Sequence, residues 1–353
     1  MVKADAYGTG MLPVVRALGA TFRGEPVAAP QVTTPWAFGV ATLDEAATLR
    51  QAGCTARIIC TTPLALRELS DAKALDIRPA LHRAEEIVSW SALGGSAYHL
   101  AIDTGMARAG IRWDEVDTLS LVIREHPPEG VFTHFHSAEL PDGSREVQDA
   151  RFALARNTLS ASLPPNVIIH SDNSAAIARR EVRQSFAHLV RPGIGLYGAV
   201  ATDMMALEQT VHLRARVIDV RDVHEGESVS YDATWHATST RRIATVALGY
   251  GDGLRQSLSN RGEAVLRGVK VPIVGRVTMD MTMLDVTTLR TGCAIGDVAT
   301  FIGRDHGLCL STDAVAQSGG MSPYELLVGL RLRVPRHYYE ANVDGLDSGD
   351  PVQ

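Results

Sequence analysis

The chain has little cysteine and no surplus of positive charge. Its four cysteines, Cys54, Cys60, Cys293 and Cys309, show no CxxC spacing and no histidines at zinc-ligand intervals, so neither a zinc centre nor a disulfide framework is expected. Buried thiols in a reducing cytoplasm are the simpler reading. With 34 Lys and Arg against 40 Asp and Glu, a formal net charge of −6, no basic face offers itself to a nucleic acid. Also missing are an apolar run long enough to cross a bilayer and a charged leader with its apolar core and cleavage site. The expected location is therefore the cytoplasm, with no membrane partner. No low-complexity linker divides the chain.

What is present suits a globular protein: 353 residues, 45% of them hydrophobic and 21% charged, enough for two domains or a large barrel with an addition. From Pro35 to about Val200 a short β-rich run and an amphipathic stretch alternate, the pattern of βα units around a parallel sheet. The strand candidates are WAFGVAT, ARIICTT, IRPAL, YHLAIDT, VFTHFHS, VIIHSDN and HLVRPGI. Helix-like segments such as LDEAATLRQAG, RAEEIVSWSALGG and REVQDARFALARNTLSA lie between them. Adding the opening VKADAYGTG as the end of a first strand, with MLPVVRALGA as its helix, brings the count to the eight that close a TIM-type (β/α)8 barrel. The expected barrel covers residues 1–205. Over 206–353 the rhythm changes to short β-like runs, among them LRARVIDVRDV, GESVSYDATW, RIATVALGYG and LRLRVPRHYY, with DAVAQSGG and SPYELLVGL as helices. This half reads as a mainly β domain.

A barrel of this kind places its chemistry at the C-terminal ends of its strands. The polar residues that fall there are Lys3, Asp103, Arg108, His134, His136, His170, Ser174 and Arg191. The loops after the last two strands, HSDNSAA and RPGIGLYG, carry Ser174 and Gly193, and loops in this position commonly hold phosphate. A lysine at the mouth of a barrel beside a phosphate site points to a covalent link with pyridoxal 5'-phosphate, with no metal.

The motifs VKADAYGTG, HLAIDTGMARAGI, FTHFHSAEL, HSDNSAA, VRPGIGLYG, ESVSYDATW, ALGYGDG, VGRVTMDM and LRVPR follow one another in this chain in the order of the alanine racemases, a fold-type III pyridoxal-phosphate family that the chain resembles over nearly its whole length. The resemblance implies an isomerase that interconverts L- and D-alanine, working as a homodimer in which the β domain of one subunit completes the barrel site of the other. Lys3 matches the cofactor-linking lysine, which also serves as the base on one face of the substrate Cα. Tyr231 matches the base on the opposite face. Arg191 matches the arginine paired with the pyridine nitrogen, His170 the residue orienting it, and His134 a residue against the ring. Tyr7, Ser174, Gly193 and Ile194 match phosphate contacts. Arg108 and the backbone near Met279, with Asp280 beside them, match the substrate-carboxylate site, and Tyr250 a tyrosine at the entrance. D-alanine for bacterial wall peptides or a specialised metabolite is the implied product.

Departures from the family pattern temper these implications. Only Met1 and Val2 precede Lys3, where the family has a strand and a helix, so the expectation is a barrel short of most of one stave, with poor solubility or weak cofactor retention. Ala101 stands where many members have a carbamylated lysine, Leu332 where most have a tyrosine, and Thr9 where a histidine is usual. A broader-specificity racemase acting on amino acids such as serine, a non-catalytic pyridoxal-phosphate binder and an inactive remnant remain as alternative readings.

Overall fold

The computed structural model describes residues 1–24, 34–95, 97–179, 188–199 and 205–339. The described residues divide into two compact units, those of 1–6 and 10–193 with residue 205 forming one, and those of 7–9, 194–199 and 206–339 the other.

The first unit is a nearly closed parallel barrel. Its strands are β1 (Phe38–Val40), β2 (Ile58–Cys60), β3 (Ile77–Leu81), β4 (His99–Asp103), β5 (Ile111–Arg112), β6 (Gly130–Phe132), β7 (Ile168–Asn173) and β8 (Leu189–Arg191). The order is β1-β2-β3-β4-β6-β7-β8, with the short β5 pairing on β4. Both faces of such a sheet are covered, one by side chains filling the barrel and the other by helices, which is why β1, β2 and β6 are buried throughout and read as uninterrupted apolar runs. The helices are α1 (Lys3–Gly8), α2 (Met11–Ala17), α3 (Leu43–Gln51), α4 (Leu69–Ala74), α5 (Ala84–Ala92), α6 (Ser120–Glu125), α7 (Ser144–Thr158) and α8 (Ser174–Ala178). The start of α3 is fixed by sequence: the Thr42 hydroxyl accepts from Glu45 N–H at 3.2 Å and the Glu45 carboxylate accepts from Thr42 N–H at 3.4 Å, the reciprocal T-x-x-E cap.

The opening corrects one expectation. Met1 and Val2 do sit between β8 and β1, where Val2 N–H donates to Gly39 O at 2.9 Å and Met1 N to Pro192 O at 2.8 Å. From Lys3 onward, however, the chain is not a strand end but a tight helical turn. Its residues Ala4, Asp5, Ala6 and Tyr7 all have positive φ, between 52° and 57°, a left-handed conformation that L-residues adopt only under constraint.

The second unit is built on an antiparallel sheet of β9 (Leu213–Val223), β10 (Arg241–Val246), β11 (Glu263–Leu266), β12 (Val269–Pro272), β13 (Thr282–Asp285), β14 (Val298–Asp305) and β15 (Leu308–Leu310), with α9 (Thr312–Ser318) and α10 (Pro323–Val328). The order is β12-β11-β14-β9-β10-β13, and β15 pairs with β14. Leu213, Val217, Val246, Val265, Phe301 and Leu326 lie in its core. The β11–β12 hairpin turns on Arg267 and Gly268, whose φ values of 51° and 72° suit the twist of a two-residue hairpin. Two segments expected to be strands are not. GESVSYDATW carries instead a short 3-10 turn over Tyr231–Ala233, and LRLRVPRHYY runs without regular structure through residue 339.

That last segment is organised by one side chain. The Arg336 guanidinium donates to the carbonyls of Arg331 at 2.6 Å, Val334 at 2.7 Å, Leu330 at 3.2 Å and Gly8 at 2.9 Å, so a single cation satisfies carbonyls that no strand or helix would serve. Replacing it removes the guanidinium from all four oxygens and leaves, among the described residues, only Arg331 O with a backbone donor, Val334 N–H at 3.1 Å. Arg336→Met should lower unfolding free energy by about 2 kcal/mol or more, read as a reduced urea midpoint with an unchanged slope.

Candidate functional site

The barrel unit gathers Lys3, Arg108, His134, His170, Ser174, Arg191 and Gly193, whereas Tyr7, Ile194, Tyr231, Tyr250, Met279 and Asp280 belong to the second unit. Each set has its own geometry.

Arg191, the last residue of β8, is partly buried, and desolvation pulls its pKa down to about 10, still protonated at neutral pH. Its Nη1 donates to His170 Nδ1 and His170 O, both at 2.8 Å. Its Nη2 donates to Thr133 O at 2.7 Å and Ser171 O at 3.0 Å, with His134 Nδ1 at 3.4 Å. The strand ends thus present carbonyl and imidazole acceptors to one guanidinium, and all of these bonds come from the terminal nitrogens. Nε is left as a donor not engaged by the described residues.

Around this cation stand two more positive groups. The Lys3 amine, half-buried at the start of α1, is held below the ordinary lysine value of 10.5 by burial and then by the Arg108 charge, with Glu45 opposing. His134 is pushed down to about 3 by burial and by the charges of Arg191, Arg108 and Lys3, so it is neutral at any working pH. Burial likewise keeps His170 neutral. Lys3, Arg108 and Arg191 all act electrostatically on His134, and a basin carrying three such cations attracts an anionic ligand.

The backbone carrying Lys3 is anchored by a residue that the motif search passed over. Glu45, besides capping α3, accepts Ala4 N–H at 2.6 Å and Ala41 N–H at 2.7 Å. Nothing in the local sequence announces its reach to residue 4. The loop bearing Arg108 is held in the same manner. Asp103 accepts from the N–H groups of Gly105 at 2.9 Å and Ala107 at 3.1 Å, which bends the chain so that Arg108 stands exposed. Ala101, where a lysine is usual in the resembled family, packs with Ala80 and Phe132.

At the expected phosphate loops, Gly193 N–H donates to Ser174 Oγ at 2.8 Å, so these two residues are adjacent. Asn173 caps α8 by accepting Ala176 N–H at 2.9 Å. In the second unit Tyr7 is buried and stacked on Tyr197, with ring centroids 4.8 Å apart, and burial raises its pKa; Ile194 is buried too.

Elsewhere in the second unit, Tyr250 and Met279 are neighbours. Tyr250 N–H donates to Thr278 O at 2.9 Å and Gly251 N–H to Met279 O at 2.8 Å. Asp280 accepts from Arg333 Nη2 at 2.6 Å, and Arg333 Nε also reaches Asp252 at 2.7 Å. Tyr231 is 69% exposed on a strained turn: Ser230, Asp232 and Ala233 have φ values of 69°, 60° and 45°. The turn is pinned by Arg276 on Asp232 at 2.6 Å and by Ser230 Oγ on Arg276 O at 2.7 Å. Leu332 is almost wholly exposed.

Comparison with known proteins gives one answer along the whole chain. Residues 1–201 match the family model for the alanine racemase N-terminal domain, and residues 210–338 that for the alanine racemase C-terminal domain. Alanine racemase of Geobacter sulfurreducens is 34% identical, with 97% of this chain and 90% of that protein covered, and that of Sorangium cellulosum is 32% identical, with 96% and 91% covered. Among solved structures, alanine racemase from Bacillus anthracis with bound L-Ala-P superposes with a TM-score of 0.82 at 31% identity, covering 96% of this chain and 87% of that one. Alanine racemase from Bartonella henselae with covalently bound pyridoxal phosphate has a TM-score of 0.80 at 26% identity, covering 96% and 91%. From the sequence matches and the shared fold together, the chain belongs to the alanine racemase family.

Proposed function

We propose that this protein interconverts L- and D-alanine with pyridoxal 5'-phosphate, using Lys3 and Tyr231 as bases on opposite faces of the substrate Cα. The observation that carries the reading is the barrel-end cluster: a half-buried lysine amine with a lowered pKa, in electrostatic reach of Arg108, and a partly buried arginine with a spare Nε donor, all three cations acting on His134. These residues fit the cofactor. A primary amine nearer neutrality is what an aldehyde needs for a covalent link, Arg191 Nε offers a donor to a ring nitrogen, and the Ser174–Gly193 pair suits a phosphate. When bound, pyridoxal phosphate supplies the electron-withdrawing ring that acidifies the Cα–H of an attached amino acid.

The protein's own tasks follow from its groups. Arg191 is protonated and donor-only, so it leaves a ring nitrogen it faces unprotonated, which restrains electron withdrawal and disfavours side reactions such as transamination. Arg108 binds the substrate carboxylate as a fixed cation, with Met279 and Asp280 bordering it and Tyr250 at the entrance. Lys3 Nζ takes or returns the proton on one face and Tyr231 Oη does so on the other. Tyr7 and Ile194 complete the phosphate site.

Because Tyr231 projects outward from the second unit, we assign it to the site of a second copy, in a homodimer whose barrel (residues 1–205) and β domain (206–353) come from different subunits. Four free thiols accord with a cytoplasmic location, where D-alanine would supply wall peptides. The alternatives of a non-catalytic binder or a remnant find no support in relatives that are named alanine racemase across the whole length of the chain.

The decisive experiment incubates the protein and its cofactor with L-alanine in deuterated water. D-alanine carrying deuterium at Cα is expected, vanishing with Lys3→Ala and falling by about 10²-fold or more with Tyr231→Phe; Tyr231→Phe at the original rate would remove the second base from the mechanism. The amine itself is testable without turnover. Since its pKa is depressed, a larger fraction of Lys3 than of an ordinary lysine is neutral at a given pH. Competitive acetylation should therefore titrate Lys3 below 10.5. Arg108→Ala removes a neighbouring cation and should move that midpoint upward; a downward move or none would contradict the electrostatic account.

A further inference from the structure

Behind Arg191 a line of polar side chains crosses the barrel interior to its opposite rim. His170, in the middle of β7, turns Nδ1 to Arg191 Nη1 and Nε2 to His99 Nδ1, each at 2.8 Å. His99, the first residue of β4, has Nε2 3.4 Å from a Glu129 carboxylate oxygen, a charge contact rather than a formed hydrogen bond, and that buried nitrogen makes no hydrogen bond among the described residues. Glu129, just ahead of β6, accepts from Arg78 Nε of β3 at 2.7 Å. The two imidazoles are fully buried, while Glu129 and Arg78 are at the rim with side chains 26% and 16% exposed.

The ends of this line have fixed polarity. A guanidinium only donates and an ionised carboxylate only accepts. Starting from Arg191, His170 Nδ1 must therefore be the acceptor and its Nε2 carry the hydrogen; His99 Nδ1 must then accept, and its Nε2–H must point at Glu129. The Glu129 carboxylate, 3.4 Å from His99 Nε2, favours the same arrangement by its charge. Any other tautomer, or an additional proton on either ring, sets donor against donor inside the barrel. Burial also keeps both imidazoles neutral.

The packing is built around the same rings. Gly130 has no side chain where His99 lies, and a Cβ there would fall on the His99 ring; Phe132 stacks on His170 with centroids 5.0 Å apart; and Trp36 meets His99 edge-on.

We propose that Glu129 and His99 are positioning residues for Arg191, acting through His170: the carboxylate at the far rim sets both tautomers so that an imidazole lone pair, not an N–H, meets the guanidinium. The proton arrangement stands on its own; its consequence for catalysis rests on the racemase reading above.

The test uses the full-length protein. Long-range proton–nitrogen NMR of the histidine rings, recorded without cofactor, is expected to show His99 and His170 both protonated at Nε2. Glu129→Leu leaves Arg191 as the one fixed end of the line, so a minor Nδ1–H population of His170 should appear beside the Nε2–H form, while Glu129→Gln, whose amide oxygen can still accept, should keep the original tautomers alone. With cofactor and alanine, kcat of Glu129→Leu should fall on the order of ten- to a hundredfold, as for other outer partners that orient an imidazole, with KM little changed and Glu129→Gln close to the parent.

A wild-type His170 protonated at Nδ1 would overturn the proposal, and so would a folded Glu129→Leu protein whose His170 ring signals stay in place. Loss of racemase activity in the parent with the expected tautomers present would count against the functional reading and leave the positioning line intact.

Discussion

The buried guanidinium of Arg191 is the constraint from which the barrel end takes its form. A cation withdrawn from water is tolerated only when its donors are satisfied. Here the acceptors are the carbonyls of Thr133, His170 and Ser171 and the Nδ1 atom of His170, and no carboxylate among the described residues makes an ion pair with it. These neutral acceptors, with Asp172 opposing the charge only from outside ion-pair distance, leave the positive charge partly uncancelled. That charge then depresses His134 and reinforces the burial that keeps His170 neutral, and together with Lys3 and Arg108 it gives the basin its preference for anions. A carboxylate placed directly on Arg191 would have made the buried ion pair more stable and the basin less useful to a phosphate and an amino-acid carboxylate.

How much of this was legible in the sequence depends on the range of the interaction. The alternation of apolar runs and amphipathic stretches disclosed the barrel because each strand and helix answers to its own periodicity. Residues at strand ends could be gathered on one face because the fold class dictates where strand ends go. What escaped was set by contacts distant in sequence. The left-handed turn after Lys3 could not be read from alanines, which give no local signal for positive φ; it is stabilised from residues 11 and 45. LRLRVPRHYY has the alternation of a strand, but its carbonyls are claimed by Arg336 and no neighbouring strand pairs with it. His99 looked like one more residue in a buried strand until its partners on β7 and ahead of β6 were seen.

Both proposed bases ride on backbone of the same unusual kind. Lys3 opens a turn whose next four residues are left-handed, and Tyr231 is flanked by Ser230, Asp232 and Ala233, also at positive φ. At roughly 1 kcal/mol or more for each non-glycine residue so held, neither turn persists unaided. The first is tied by Ala6 N–H to Val2 O, by Gly10 N–H to Asp5 O and by Met11 N–H to the Asp5 carboxylate. The second is tied by Arg276 to Asp232 and by Ser230 to the Arg276 carbonyl. A regular helix or strand would spread its side chains over fixed directions shared with its neighbours. A short left-handed turn instead sets one side chain apart from the elements around it, and hydrogen bonds to flanking residues keep that direction fixed. For a reaction in which two groups must meet a single carbon from opposite sides, the accuracy of each direction matters more than the stability lost in holding it, and the ties at Asp5, Glu45 and Arg276 are where that loss is recovered.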